Sequence, residues 1–498
     1  MQRPMQRRQF LKSATVGGAM LALPFSTARS FAAGLPSDIT HFSALDLSTA
    51  IHSGDVSCVE VMQAYLARID AVNPIYNAIV GRVADDDLLR QARQADQELA
   101  RDNSRGWMHG MPHAVKDLTS VRGLIHTSGS PMFADRVADE DSSFVARLRA
   151  NGAIFIGKTN SPEFGLGSQS YNPVFGATGS ACNPALTAGG SSGGAASGLG
   201  THMLPVADGS DMMGSLRNPG AFNNVIGFRP TAGLMSDTPP DAIPLSTSGP
   251  MGRNTRDAIA LLNTMAPRPL SGPFMALDMN ALEIAWLGDL DGYLAMESGI
   301  LPLCERNLST IESQGARVTA TLPQFDMDDL WYCWTTLRHA GRLRMMDYYE
   351  DPETRALLKP ELIWEIEQGM TFTPEDIARA EAIRTRWLGE LERLFGDYDF
   401  LTIPTAQVFP YSKQAHWPRF IGARPMDTYH RWMEVVILGS LGGLPVINVP
   451  VGFDASGRPM GMQVMGRRGD DRRVLEFGLA YEAQTDYLGQ HLDRIQTV

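Results

Sequence analysis

The 498-residue chain is predicted to fold as one large α/β domain behind a short leader. Three observations carry that expectation. Helical patterns alternate with short buried runs, as where residues 142–152 give way to 153–158, and such alternation builds a sheet layered with helices. Hydrophobic residues make up 44% of the chain and charged residues 20%, which is enough apolar material to fill a sizeable core. No internal repeat or low-complexity linker divides the chain after residue 33, so a single domain (34–498) is expected although length alone allows several.

Residues 1–33 read as a secretory signal. Arg3, Arg7, Arg8 and Lys12 form a basic start, residues 14–24 a short, weakly apolar run, and residues 30–33 a small-residue end suited to cleavage. The run is too short and too interrupted to span a bilayer. Arg7-Arg8 followed by Phe10-Leu11-Lys12 resembles the twin-arginine signal of proteins exported already folded, so a periplasmic or secreted location is expected. A basic amphipathic first helix is the competing reading, and the cleavage-like end argues against it.

Ser57 can cap a helix whose apolar residues Val59, Met62, Tyr65, Leu66 and Ile69 recur at three- and four-residue steps. A second amphipathic stretch covers residues 86–100. Ala114-Val115 reads as the end of a buried strand, with Lys116 as its first charged residue. A helix stopped by glycine (142–152) and a strand (153–158) follow. Residues 195–200 are nearly all small and suit a helix pressed against a sheet; residues 204–207 suit the strand after it. Residues 229–273 are expected to be surface connection apart from a helix over 255–265, because proline, glycine and serine dominate. Strand patterns return at 283–288, 400–405, 445–450 and 462–465, and a helix closes the chain at 474–484. Between them, helical patterns run intermittently over about 290–395, where aromatics such as Trp331 and Trp334 could wall a pocket or simply fill a layer.

Composition excludes several functions. A formal charge of −12 disfavours nucleic acid and anionic membrane as partners. Cys58, Cys182, Cys304 and Cys333 lie far apart without ligand spacing, so neither a disulfide framework nor a structural zinc is expected. His109 and His113 have a ligand-like step, but Gly110 and Pro112 between them oppose a helix; no metal and no cofactor are predicted.

Chemistry concentrates in two small-residue knots, GGSSGG at 189–194 and GSDMMGSLR at 209–217. Glycine lets a backbone approach a ligand closely, and each knot offers a serine, Ser191 and Ser215. GGSSGG lacks the Lys-Ser/Thr of a phosphate loop, and no GxSxG elbow is present. His113, His126 and His202 are discounted as triad members because a lone histidine is more often structural. A lysine base is the other route to an activated serine, provided burial lowers its pKa, and a second hydroxyl can relay the proton. The expectation is that Ser191 and Ser215 sit side by side with Lys116 beneath them. Taken alone, Lys116 is more simply half of an ion pair with Asp117.

VKD at 115–117, GKTN at 157–160, GGSSGG, GSDMMGSLRNP at 209–219, GFRPT at 227–231 and GRPMGMQVMG at 457–466 together resemble the amidase signature family, in its order and spacing. That resemblance implies a central mixed β-sheet covered by helices on both faces. It implies Lys116 as the catalytic lysine, Ser191 as a bridging serine after a cis peptide, and Ser215 as the nucleophile. The backbone N–H groups of Met212, Met213, Gly214 and Ser215 match the oxyanion hole, while Ser192, Asp211 and Arg217 match supporting positions. The family usually has two glycines before the nucleophile, whereas this chain has Met213-Gly214. We expect position 213 to be conformationally ordinary, with its side chain beside the acyl pocket. The function implied is an exported amidase acting on a small-molecule amide without a cofactor and without stable membrane insertion, with a homodimer left open. The alternatives are an ester-preferring relative, the subunit of a tRNA-linked amidotransferase, and a non-catalytic exported ligand-binding protein.

Overall fold

Local sequence rules set the helix starts. Ser57 Oγ accepts the Glu60 N–H at 3.1 Å and the Ser57 N–H donates to Glu60 Oε2 at 2.9 Å, a reciprocal cap that opens the Cys58–Tyr76 helix. Thr373 and Asp376 repeat the arrangement at the start of Pro374–Asp397. The computed structural model describes residues 38–498 apart from position 239; the leader predicted over residues 1–33 lies outside the described residues.

Eleven strands build the two sheets that hold the site. β1 (Ile79–Val80), β2 (Pro112–Lys116) and β3 (Ile154–Thr159) form the smaller sheet, in the order β1-β3-β2. The larger sheet contains β4 (Val206–Asp211), β5 (Ile226–Arg229), β6 (Thr247–Gly252), β7 (Glu283–Trp286), β8 (Arg317–Ala320), β9 (Phe400–Pro404), β10 (Val446–Phe453) and β11 (Pro459–Met465). Its order is β8-β7-β9-β11-β10-β5-β6-β4. β7 runs parallel to β8 and β9, and the remaining pairs are antiparallel, so the sheet is mixed. Helices flank it, and the large apolar core includes the fully buried Trp334 and Trp387. This is the single α/β domain the alternation predicts.

β2 and β4 are edge strands, and the two edges meet. The Lys116 N–H donates to Asp208 Oδ2 at 3.3 Å, which anchors the end of β2 against β4.

Two expectations need correction. Residues 229–273 do contain the helix Thr255–Met265, but also β6. Its sequence TSGPMG resembles a turn, yet it pairs with β4 over six positions. Pro250 falls outside the short register of Met251 and Gly252 with β5, a place where a missing N–H is tolerated. Residues 290–395 are helical as predicted, except for β8. All four cysteines are free and buried.

Candidate active site

β2 ends on Lys116, whose side chain is fully buried. Its Nζ donates to Ser191 Oγ at 2.7 Å, Ser192 Oγ at 2.8 Å and Ser210 Oγ at 3.1 Å, with the Ser210 carbonyl at 3.4 Å. Every one of these acceptors is neutral. Burial therefore dominates and lowers the lysine pKa from 10.5 to about 7, although Asp208 and Asp211 act in the opposite sense. The simpler reading of Lys116 as an ion-pair partner of Asp117 does not hold. Asp117 accepts from the N–H groups of Thr127 and Gly129 and from the Thr127 hydroxyl.

The first knot reaches the lysine because its residues are small. The Gly193–Gly200 helix is buried along its whole length. A Cβ on Gly194 would lie 2.3 Å from the Asn160 nitrogen and 2.6 Å from the Ala78 carbonyl, so glycine is required for the helix to press against the end of β3. The Gly190–Ser191 peptide is cis. Ser191 is 3% exposed, and the Ser192 N–H donates to the Ser215 carbonyl at 3.3 Å, tying the two knots together.

The second knot is wound around a buried carboxylate. Asp211 accepts from Gly214 N–H at 3.0 Å, Leu216 N–H at 3.1 Å, and Arg217 Nε and Nη2 at 3.0 and 2.8 Å. Arg229 Nη1 lies 3.3 Å from the same carboxylate and also bonds the Asp211 carbonyl. Burial would raise the Asp211 pKa, but Arg217 and Arg229 hold it far below the usual carboxylate range. Arg217 extends the brace to the Val436 carbonyl and to Ser440 Oγ.

Two consequences bear on the loop ahead of Ser215. The left-handed conformation falls on Gly214, with φ +78°, while Met213 keeps a negative φ. A Cβ at 214 would lie 2.1 Å from Asn218 Oδ1, whereas Met213 is free to reach both the core and the cavity beside Ser215. The Gly214 N–H, expected to face the substrate, is already given to Asp211. That leaves the N–H groups of Met212, Met213 and Ser215 without a partner among the described residues.

Ser191, Ser210, Met212, Met213 and Ser215 line one cavity of about 600 Å³, a volume suited to a small molecule. Arg338, Arg342, Arg344 and Met345, from the helical region of residues 290–395, line it as well. His113, His126 and His202 do not. His113 is buried against Asp208, His126 faces Ser120, and His202 contacts the Thr40 carbonyl. Among the described residues, His339, Glu365 and His430 alone cluster as metal ligands could. Both Glu365 oxygens, however, accept from arginines, Arg338 and Arg342, which a cation would have to displace.

Sequence reasoning misses Ser210, Arg229 and the three cavity arginines. Arg229 lies inside the GFRPT motif, so its motif could have pointed to it. The cavity arginines come from a helical stretch in which no motif marks them.

The α/β domain thus gathers Ser191, Ser210 and Ser215 at one cavity beside the buried Lys116. The Amidase family profile matches residues 60–475, and the chain belongs to the amidase (amidase signature) family. It is 30% identical over 456 residues to an acylamidase of Rhodococcus erythropolis, covering 89% of this chain and 95% of that one. It is 31% identical over 482 residues to a glutamyl-tRNA(Gln) amidotransferase subunit of Thermus thermophilus, covering 88% and 96%. The crystal structure of a bacterial aryl acylamidase of the amidase signature enzymes superposes with a TM-score of 0.82 at 25% identity, covering 91% and 98%. Residues 4–24 match the twin-arginine translocation signal, which marks the protein for export. No described helix is long and apolar enough to cross a membrane.

Arg217→Ala leaves the Asp211 carboxylate buried with its main partner gone. Removing one member of a buried pair costs about 3–5 kcal/mol, so chemical denaturation is expected to show a large loss of stability. Wild-type stability in that variant would contradict the bracing role of the pair.

Proposed function

We propose that the protein, after loss of residues 1–33, is an exported amidase that hydrolyses a small-molecule carboxylic amide through an acyl-enzyme on Ser215. The observation that carries this reading is a fully buried Lys116, with a pKa of about 7, bonded at 2.7 Å to Ser191. A neutral amine has two N–H bonds and one lone pair. Ser192 Oγ and Ser210 Oγ can take the two N–H bonds, and the lone pair is then left for the Ser191 hydroxyl.

In the proposed reaction, Lys116 Nζ takes the proton of Ser191 Oγ while Ser191 takes that of Ser215 Oγ. Ser215 Oγ attacks the amide carbon, and the carbonyl oxygen becomes an oxyanion. The unpartnered N–H groups of Met212, Met213 and Ser215 are the donors available to stabilise it; Gly214 does not join them because Asp211 holds its N–H. Collapse breaks the C–N bond. The proton returns from Lys116 through Ser191 to the departing nitrogen, which leaves as ammonia or amine. Water, deprotonated along the same path, then opens the acyl ester and releases the acid. Asp211 and Arg217 hold the loop, and Ser192 holds the lysine.

Ser215→Ala is expected to abolish both amide turnover and covalent labelling by a fluorophosphonate; labelling that persists in this variant would refute the assignment. The base works only when Lys116 has lost its proton. Turnover per encounter, kcat/KM, is therefore expected to rise with pH through about 7 and level off above it. A profile that falls across that range would contradict the lysine base.

A further inference from the structure

The cavity is strongly one-sided in charge. Its charged lining residues are Arg338, Arg342 and Arg344, with no carboxylate among them. Behind the arginines stands the buried Glu365, which accepts from Arg338 Nε at 2.6 Å and Arg342 Nε at 2.7 Å. It also accepts from the Tyr429 hydroxyl at 2.5 Å. One carboxylate thus faces two guanidinium groups, and the third, Arg344, is exposed with no acidic partner among the described residues. His339 and His430 beside them add no charge at neutral pH, since burial above all presses both pKa values below 6.5.

The hydrogen bonds are as unbalanced as the charges. Arg338 Nη2 donates to Tyr429, but its Nη1 meets only the Met212 thioether, at 3.3 Å. Arg342 is 6% exposed, and its Nη1 and Nη2 have no partner among the described residues, although both arms belong to a residue that lines the cavity. These two arms are not sealed from solvent but open to the cavity, where an acceptor can meet them. A carboxylate fits that fork in two parallel bonds. Because Arg338 also touches Met212, the cationic wall adjoins the loop that precedes Ser215.

We infer that the substrate is an amide carrying a carboxylate, which Arg342 binds while Glu365, itself fixed by Arg338, holds that guanidinium in place and Arg344 attracts the anion at the rim. The inference rests on the amidase reading above and names the substrate class of the same cavity. The four cavity methionines, Met212, Met213, Met345 and Met433, then cover the hydrocarbon between the two ends of the substrate.

The test uses matched pairs in which an isopropyl group replaces the carboxylate. Succinamate against isocaproamide places the charge on the acyl side; N-acetyl-β-alanine against N-isopentylacetamide places it on the leaving amine. For at least one pair, kcat/KM is expected to favour the anion by roughly tenfold to a hundredfold, the range of a charge-assisted bond, chiefly through KM. Arg342→Gln should bring that ratio close to one, Arg342→Lys should restore part of it, and Arg344→Ala, at an exposed position, should lower it by roughly twofold to fivefold. Calorimetric binding of the same pairs to the Ser215→Ala protein gives a readout independent of chemistry. Tighter binding of the anion, lost in Ser215→Ala/Arg342→Gln, supports the inference even if the wild type turns over neither amide, a result that would count against the acyl-enzyme reading alone. Turnover and binding of the neutral amides equal to or better than those of the anions overturns the inference and leaves the amidase reading standing.

Discussion

Desolvation of one ammonium group is the constraint on which the rest of the architecture depends. Lys116 is sealed at the end of β2 by three serine hydroxyls and a carbonyl, none of which carries a full charge. Such surroundings favour the neutral amine. They also work against folding. The unfolded chain holds the lysine proton up to about pH 10.5 and the folded chain only to about 7, so the unfolded state binds more protons in between. This group's contribution to stability accordingly rises with pH across that window, and its penalty is fully present below it. The surrounding core has to absorb that penalty, which fits a site placed where two sheets meet inside a domain of this size.

The carboxylates nearby are arranged so that they do not cancel this effect. Asp211 would be a strong counter-charge for the lysine if it were free. Instead it is taken up by Arg217, Arg229 and two loop N–H groups. The same bonds that occupy the acid bend the backbone ahead of Ser215, so one buried pair fixes the loop and spares the base. Asp208 is similarly occupied by His113 and by the Lys116 backbone N–H. The cost appears at Gly214, whose N–H serves the loop and not the cavity.

Much of the fold is legible in the sequence because its signals are local. Ser57 and Glu60 announce a helix start, the glycine before 153–158 a helix end, and the alternating elements an α/β layer. The two knots are legible too, because they stand with VKD, GKTN and GFRPT in one order and spacing, with Lys116 upstream. β6 is hidden because TSGPMG carries turn residues and gains its strand by pairing with β4 and, at Met251 and Gly252, with β5. Met213 is instructive in the other direction. The family usually has glycine at this position, but the positive φ belongs to Gly214, and the side chain at 213 is free to shape the cavity. The arginines of the cavity wall are invisible in sequence for a plain reason. They come from a helix end and the turn after it, more than a hundred residues from the serines, and only the folded chain brings them to Met212.

The central claim is that burial, without an anionic partner, holds Lys116 near neutrality. The most direct measurement is a titration of the Lys116 side chain by heteronuclear NMR, its resonance assigned by the signal lost in Lys116→Arg. The account predicts a midpoint near 7. A midpoint near the ordinary 10.5 would contradict it and remove the base from the proposed reaction.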